Sequence, residues 1–192
     1  MTLYLASQSP RRRELLAQLG VAFDILDVEV AEIPQPGEPP IDYVRRVAHD
    51  KARAGRQALE TATQADAIVI ASDTEVVLDG DIFGKPKDAG DAQAMLRRLS
   101  GRTHEVISAV WLMSAARERG EVCVSRVRFA SLSEPIISAY VAGGEPFGKA
   151  GGYAIQGKGA SLVEHLEGSY SGVMGLPLFE TAHLLASFGV AV

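Results

Sequence analysis

The sequence predicts a mixed α/β or α+β fold, a sheet with helices packed on its outside, and three observations carry that expectation. Short apolar runs rich in β-branched residues alternate with segments that bear helix start and stop signals. Asp79-Gly80, a favoured tight-turn pair, separates the apolar runs 76–78 and 82–83. Two long β-rich runs, 104–113 and 121–132, follow each other across a polar connector and read as an antiparallel pair. The order of the strands does not follow from these signals.

Taken in order, Leu3 to Ala6 is an apolar opening strand. Ser9 is a good N-cap and Pro10 suits a first helical position, where the missing N–H costs nothing. The helix should run to about Leu19, with Leu15, Leu16 and Leu19 on one face and Gly20 as the left-handed stop. A strand is expected over Phe23 to Val30, then a Pro-rich loop from Ile33 to Pro40 and a helix from near Ile41 to Leu59. Ala67-Ile68-Val69-Ile70-Ala71 reads as a buried strand that stops at Ser72-Asp73, which puts Asp73 at a strand end. Past the hairpin, Gly84-Lys85-Pro86 leads to a helix capped by Asp88 and running to about Leu99. The antiparallel pair is joined by Arg117-Glu118-Arg119-Gly120, and Pro135 to Val141 reads as helix. The Gly-rich region 143–175 should hold strands at Tyr153 to Gln156 and near Leu162 to Leu166, before Pro177 opens a last helix to about Phe188.

Composition bounds the function. At 192 residues, 47% hydrophobic and 22% charged, the chain can build one sizeable core or two small lobes sharing a cleft, and it is not a disordered tail. A formal charge of -5 disfavours binding of long nucleic acid over the whole surface. Cys123 is the single cysteine, so an internal disulfide and a CxxC metal or redox pair are both excluded. No apolar run reaches the roughly 20 residues that span a bilayer, and the N-terminus lacks a secretory pattern, so a cytoplasmic location with no membrane partner is expected. His49, His104, His165 and His183 show no HExxH spacing and no GxSxG partner, which argues against zinc and serine hydrolases. Gly143-Gly144-Glu145-Pro146-Phe147-Gly148-Lys149-Ala150 has P-loop spacing but ends in Ala, where the motif needs a hydroxyl for magnesium, and it follows a helical segment instead of a strand.

Phosphate chemistry has better candidates. A helix start beside Ser7, Ser9, Arg11, Arg12 and Arg13 offers unpaired N–H groups, a positive dipole end and guanidinium forks, although a simple cap with solvated arginines is equally consistent with so short a segment. Asp73 is a carboxylate fit to hold a divalent cation or orient a water, with an ordinary turn residue as the alternative, and Glu32 could add a second oxygen. Lys51, Lys85 and Lys149 are cationic candidates, and Gln156 could read a base edge with its paired donor and acceptor.

Together these residues resemble the Maf family of nucleoside triphosphate pyrophosphatases, in six ordered segments from the first strand to the last helix. They are Leu5 to Arg12, Ala71-Ser72-Asp73-Thr74, Gly84-Lys85-Pro86, Ser100-Gly101-Arg102-Thr103-His104, Lys149 to Gly157, and Gly168-Ser169-Tyr170 with Gly175-Leu176-Pro177-Leu178. The resemblance implies a single domain over 1–192, an elongated, twisted mixed sheet flanked by helices, with two lobes around a central cleft. It implies cleavage between the α- and β-phosphates with a divalent metal cation (Mg²⁺ or Mn²⁺), a nucleoside triphosphate as the partner, and is compatible with a homodimer. By position Asp73 is similar to the family's general base, and Ser7, Arg12, Lys51 and Lys85 to its triphosphate and metal contacts, with Glu32 beside Asp73 as a metal ligand. Arg11, Thr74 and Gln156 match the branch that acts on dTTP and UTP. The family has also been linked to septum formation and division arrest, on which these residues are silent. Two positions depart from its pattern: Gly148 and Ala31 stand where the family usually shows Asp. They motivate a second reading, a nucleotide-sensing regulator of division without turnover.

Overall fold

In the computed structural model, which describes residues 1–59 and 65–192, Leu3 and Leu5 of β1 (Thr2–Ala6) lie beside Ile68 and Ile70 of β3 (Ala67–Leu78). The two strands pair in parallel, Thr2↔Ala67 to Leu5↔Ile70, and their apolar side chains are buried with Leu15 and Leu16 of α1 (Pro10–Gln18). On its other edge β1 pairs in parallel with β2 (Asp24–Leu26). The long helix α2 (Pro40–Ala58) then carries the chain back across β1 to β3. Succession along the sheet therefore reverses at β1, and the crevice beyond the C-terminal ends of such strands is where open α/β sheets bind ligands.

From β3 the sheet continues antiparallel through β5 (Thr103–Met113), β6 (Glu118–Phe129) and β7 (Val163–Glu167), with the short β4 (Asp81–Ile82) on β3. It is a seven-stranded, twisted, open mixed sheet, long because β3, β5 and β6 are each 11 or 12 residues. Helices α3 (Ala89–Leu99), α4 (Glu134–Ala142), α5 (Tyr170–Met174) and α6 (Leu178–Ser187) complete the chain. One apolar cluster joins α3 and α4 to β5 and β6, a second packs α1 and α6 on β1 and β3, and smaller ones lie under α2. No helix among the described residues is long and apolar enough to cross a membrane.

Several sequence expectations need correction. The strand 67–71 does not stop at Ser72-Asp73; it runs to Leu78, because β5 extends the ladder from Val69↔Met113 to Val77↔Glu105 and pairs the backbone of the polar stretch. Asp73 is thus in mid-strand. Of the expected Phe23 to Val30 strand only Asp24–Leu26 pairs, and Val28 to Val30 turn towards the cleft described below. The connector between the long strands lies earlier than Arg117 to Gly120: the Ser114 hydroxyl accepts from the Ala116 and Arg117 N–H groups and closes the turn there. Gly120 is in β6 opposite Trp111, where a Cβ would sit 1.9 Å from the indole. Tyr153 to Gln156 is not a strand but a turn between two 3₁₀ segments, Ala150–Gly152 and Lys158–Leu162, since Gly151 and Gly152 take positive φ. Helix α5, capped by Ser169, had no expected counterpart.

His104 supplies a test of this packing. Its imidazole is 1% exposed, pairs through Nε2 with the Tyr153 hydroxyl at 2.8 Å and leaves Nδ1 without a partner. Burial pushes its pKa down to about 4. The folded state thus binds this proton less readily than the unfolded chain. The neutral ring's full contribution is present above about pH 6.5 and is lost progressively as pH falls towards about 4. Urea titrations across that window should show about 3 kcal/mol of acid destabilisation that is absent from His104→Gln. Parallel profiles for the two proteins would contradict this.

Candidate active site

Strand pairing leaves one gap. β1 accompanies β3 only as far as Leu5↔Ile70, and β4 takes up the same edge only at Val77↔Ile82. Along Ala71 to Val76 that edge has no strand partner among the described residues, and there a cleft of about 500 Å³ opens, within the range of small-molecule sites. Of the residues the sequence singles out, Ser7, Ser9, Arg11, Arg12, Glu32, Lys51, Asp73, Thr74, Lys85, Lys149 and Gln156 line it, whereas Arg13 does not. Segments far apart in the chain meet because the β1–α1 turn, α2, mid-β3 and the 148–156 loop converge on this unpaired edge.

Alternation along β3 splits the polar stretch between two faces. Asp73 and Glu75 share the face covered by α2. Lys51, one of the buried residues of α2, reaches Asp73 Oδ1 at 2.8 Å and Glu32 Oε1 at 2.5 Å. Glu32 in turn accepts from Lys85 Nζ through Oε2 at 2.8 Å, so the four groups form a ladder of alternating charge. Burial on its own would raise the Glu32 carboxyl, but the ammonium groups of Lys51 and Lys85 outweigh it and hold it at about 2. Glu75 goes the other way: burial and then the neighbouring Asp73 push it up to about 7, although it accepts from the Gly84 N–H at 3.2 Å. The sequence did not single out Glu75. Its signal is the i, i+2 spacing from Asp73, legible only once the strand is known to pass through both.

On the opposite face Ser72, Thr74 and Arg12 gather on one carbonyl, that of Gly175. Ser72 Oγ donates to it at 2.9 Å, Arg12 Nε at 2.8 Å and Thr74 Oγ1 at 3.4 Å. Gly175 has φ +124°, and a Cβ there would meet the Arg12 and Thr74 side chains at 3.6–3.8 Å. Arg12 is oriented from the helix side as well. Ser9 caps α1 by accepting from the Arg12 N–H at 3.5 Å, and the Ser7 hydroxyl accepts from the Ser9 N–H at 3.2 Å. Desolvation lowers the affinity of the Arg11 and Arg12 guanidinium groups for their protons. A partly desolvated cation in this setting gains most from an anionic ligand. Along the far wall lie Lys149 and Gln156; burial and then the nearby Arg11 lower the Lys149 ammonium.

The donor set suits a hard divalent cation. Asp73 Oδ2 is buried with no hydrogen-bond partner, an oxygen for which the protein provides no donor, and Glu32 reaches the same ladder. Among the described residues no three His, Cys, Asp or Glu side chains converge into a ready-made cage. One or two carboxylates completed by water and substrate phosphates is the usual shell of Mg²⁺.

Comparison with known proteins shows the family. The family model described as Maf-like protein matches residues 2–188. A dTTP/UTP pyrophosphatase of Xanthomonas campestris pv. campestris is 57% identical over 188 residues, covering 97% of this chain and 98% of that protein. The Methylococcus capsulatus protein of the same name is 56% identical over 190 residues, covering 99% of this chain and 92% of its own. One from Cupriavidus pinatubonensis is 53% identical over 189 residues, covering 95% and 94%. Among solved structures, that of the Staphylococcus aureus Ham1 protein superposes with a TM-score of 0.50 at 12% identity over 98% of this chain and 97% of that one, a likeness of fold alone.

Proposed function

The chain belongs to the Maf-like protein family and is a nucleotide pyrophosphatase, and from that premise we propose that it cleaves dTTP and UTP between the α- and β-phosphates with Asp73 as general base. The observation that carries this reading is Asp73 itself: 5% exposed, mid-strand on an unpaired edge, with one oxygen held by Lys51 and the other free. Lys51 holds the carboxylate in place through Oδ1, and Oδ2 takes a proton from the attacking water. The water oxygen bonds to the α-phosphorus, the bridging bond to the β-phosphate breaks, and the products are a nucleoside monophosphate and pyrophosphate.

Such a reaction needs charge neutralisation and in-line positioning more than covalent chemistry. Arg12, Ser7 and the N–H groups of the α1 start face the phosphates, and Lys85 reaches them by exchanging its bond to Glu32. A divalent cation held by Asp73 and Glu32 would supply further neutralisation of the triphosphate. We read the chain as one domain of two lobes meeting at this cleft.

Base choice falls to Arg11, Thr74 and Gln156. Gln156 is exposed at the tip of its turn, with an amide that can both donate and accept towards a pyrimidine edge. A panel of dTTP, UTP, CTP, GTP and ATP with Mn²⁺ tests the reading. Monophosphate and pyrophosphate are expected chiefly from dTTP and UTP, and no monophosphate from any of the five would refute it. Gln156→Leu should lower kcat/KM for dTTP about 10- to 100-fold while GTP turnover changes little, the size expected when a base loses a hydrogen-bonding partner.

A further inference from the structure

Outside the cleft, one carboxylate gathers an unusual number of donors. Glu145, in the turn after α4, accepts through Oε1 from the Tyr140 hydroxyl at 2.7 Å and the Gly159 N–H at 2.8 Å, and through Oε2 from the Lys158 N–H at 2.9 Å. The Tyr140 hydroxyl in turn accepts from the Ala154 N–H at 3.1 Å. Glu145's own carbonyl takes Lys149 Nζ at 2.6 Å. Ala154 and Lys158 bracket Gln156 by two residues on either side. One side chain therefore fixes both ends of the turn that carries Gln156, and its backbone fixes Lys149. Neither Tyr140 nor Glu145 lines the cleft.

Gly157 adds an independent observation. Its φ of -109° lies outside the positive range that most strongly favours glycine. A Cβ would lie 2.3 Å from Glu145 Oε2 and 2.6 Å from Cδ, and Glu145 supplies all three of its nearest atoms. The missing side chain makes room for the carboxylate. Burial would raise the Glu145 carboxyl, but hydrogen bonds from Gly159, Tyr140 and Lys158 outweigh that and hold it below its ordinary range. The network thus prefers the ionised form, whose hydrogen bonds are the stronger kind.

We infer that Glu145 is a positioning residue for nucleotide recognition: with Tyr140 it clamps the 154–159 turn and anchors Lys149, so that Gln156 and Lys149 meet the substrate in fixed places. This rests on the function proposed above and extends it to residues that touch no substrate. Holding recognition groups rigid contributes to binding, whereas the chemistry at Asp73, on β3, is built separately.

The test is a double-mutant cycle with dTTP, read as KM and kcat, alongside thermal unfolding and calorimetry with a non-hydrolysable α,β-methylene analogue. Glu145→Ala should raise KM and the analogue's Kd about tenfold, leave kcat within about threefold, and narrow the preference for dTTP over CTP, the pattern of lost binding. Gly157→Ala should do the same in the wild-type background yet add less than about twofold in Glu145→Ala, where the carboxylate it would strike is gone. Should Glu145→Ala not fold, Gly157→Ala and Glu145→Gln carry the same comparison, with Glu145→Gln intermediate. Unchanged KM in folded variants, or fully additive effects, would overturn the inference while leaving the proposed function standing. A wild-type protein that neither turns over dTTP nor binds the analogue would instead remove the proposed function, and this inference with it.

Discussion

Asp73→Asn is expected to lower kcat on dTTP by roughly a thousandfold while KM stays within about threefold, the loss that follows when a positioned base is removed from a proton-transfer step. Asparagine keeps the shape, and its Oδ1 can still accept from Lys51, so the ladder to Glu32 persists. What disappears is the unpartnered Oδ2 to which we assign the water's proton. An amide nitrogen in its place is a buried donor without an acceptor, at a cost of roughly 1–3 kcal/mol, so a modest fall in Tm should accompany the kinetic loss. A pyrophosphate-release assay with thermal unfolding on the same samples separates the two effects. A loss below about tenfold in folded protein would mean that another group takes the proton.

Lys51→Met should be the most damaging change to stability and activity together. The ammonium is 8% exposed and holds Asp73 and Glu32 at once; without it Asp73, Glu32 and Glu75 share one side of the cleft with Lys85 as their remaining bonded cation. Breaking a buried pair by removing one partner typically costs 3–5 kcal/mol, because the charge left behind is desolvated and uncompensated. We expect about 3 kcal/mol at neutral pH, and activity down more than about a hundredfold since Asp73 would lose the ammonium that fixes its position. The pH dependence has a definite sign. Glu32's carboxyl is depressed from 4.5 to about 2 in the folded state, so its stabilisation is present above 4.5 and lost as pH falls through about 2. The gap between wild type and Lys51→Met should therefore narrow over that acid range. A gap independent of pH there, in urea titrations, would contradict the ladder.

Local chemistry made much of this legible. Ser9 and Pro10 cap α1 where the sequence placed them, Asp79-Gly80 closes the β3–β4 hairpin with both residues at positive φ, and Asp88 caps α3. These are short-range signals, decided by one or two residues. The errors arose where distant partners decide. Nothing within 67–78 announces that Ser72 to Glu75 is strand; the ladder to β5 and the Gly175 carbonyl satisfy those polar groups from over 30 and about 100 positions away. Tyr153 and Ile155 are apolar because they pack in the cluster of α3, β5 and β6, not because they pair as a strand. Candidate site residues converge on one cleft although the strand limits around them were misplaced; they were singled out by residue type, and type is what a sequence displays. Glu75 and Glu145 escaped for the opposite reason: their importance lies in partners, not in a motif.

Cleavage of dTTP in ¹⁸O-enriched water reports which phosphorus the water attacks. Attack at the α-phosphorus places one labelled oxygen in thymidine monophosphate and none in pyrophosphate, with both label incorporation and turnover lost in Asp73→Asn. Label in the pyrophosphate, or a nucleoside diphosphate with labelled inorganic phosphate, would contradict it.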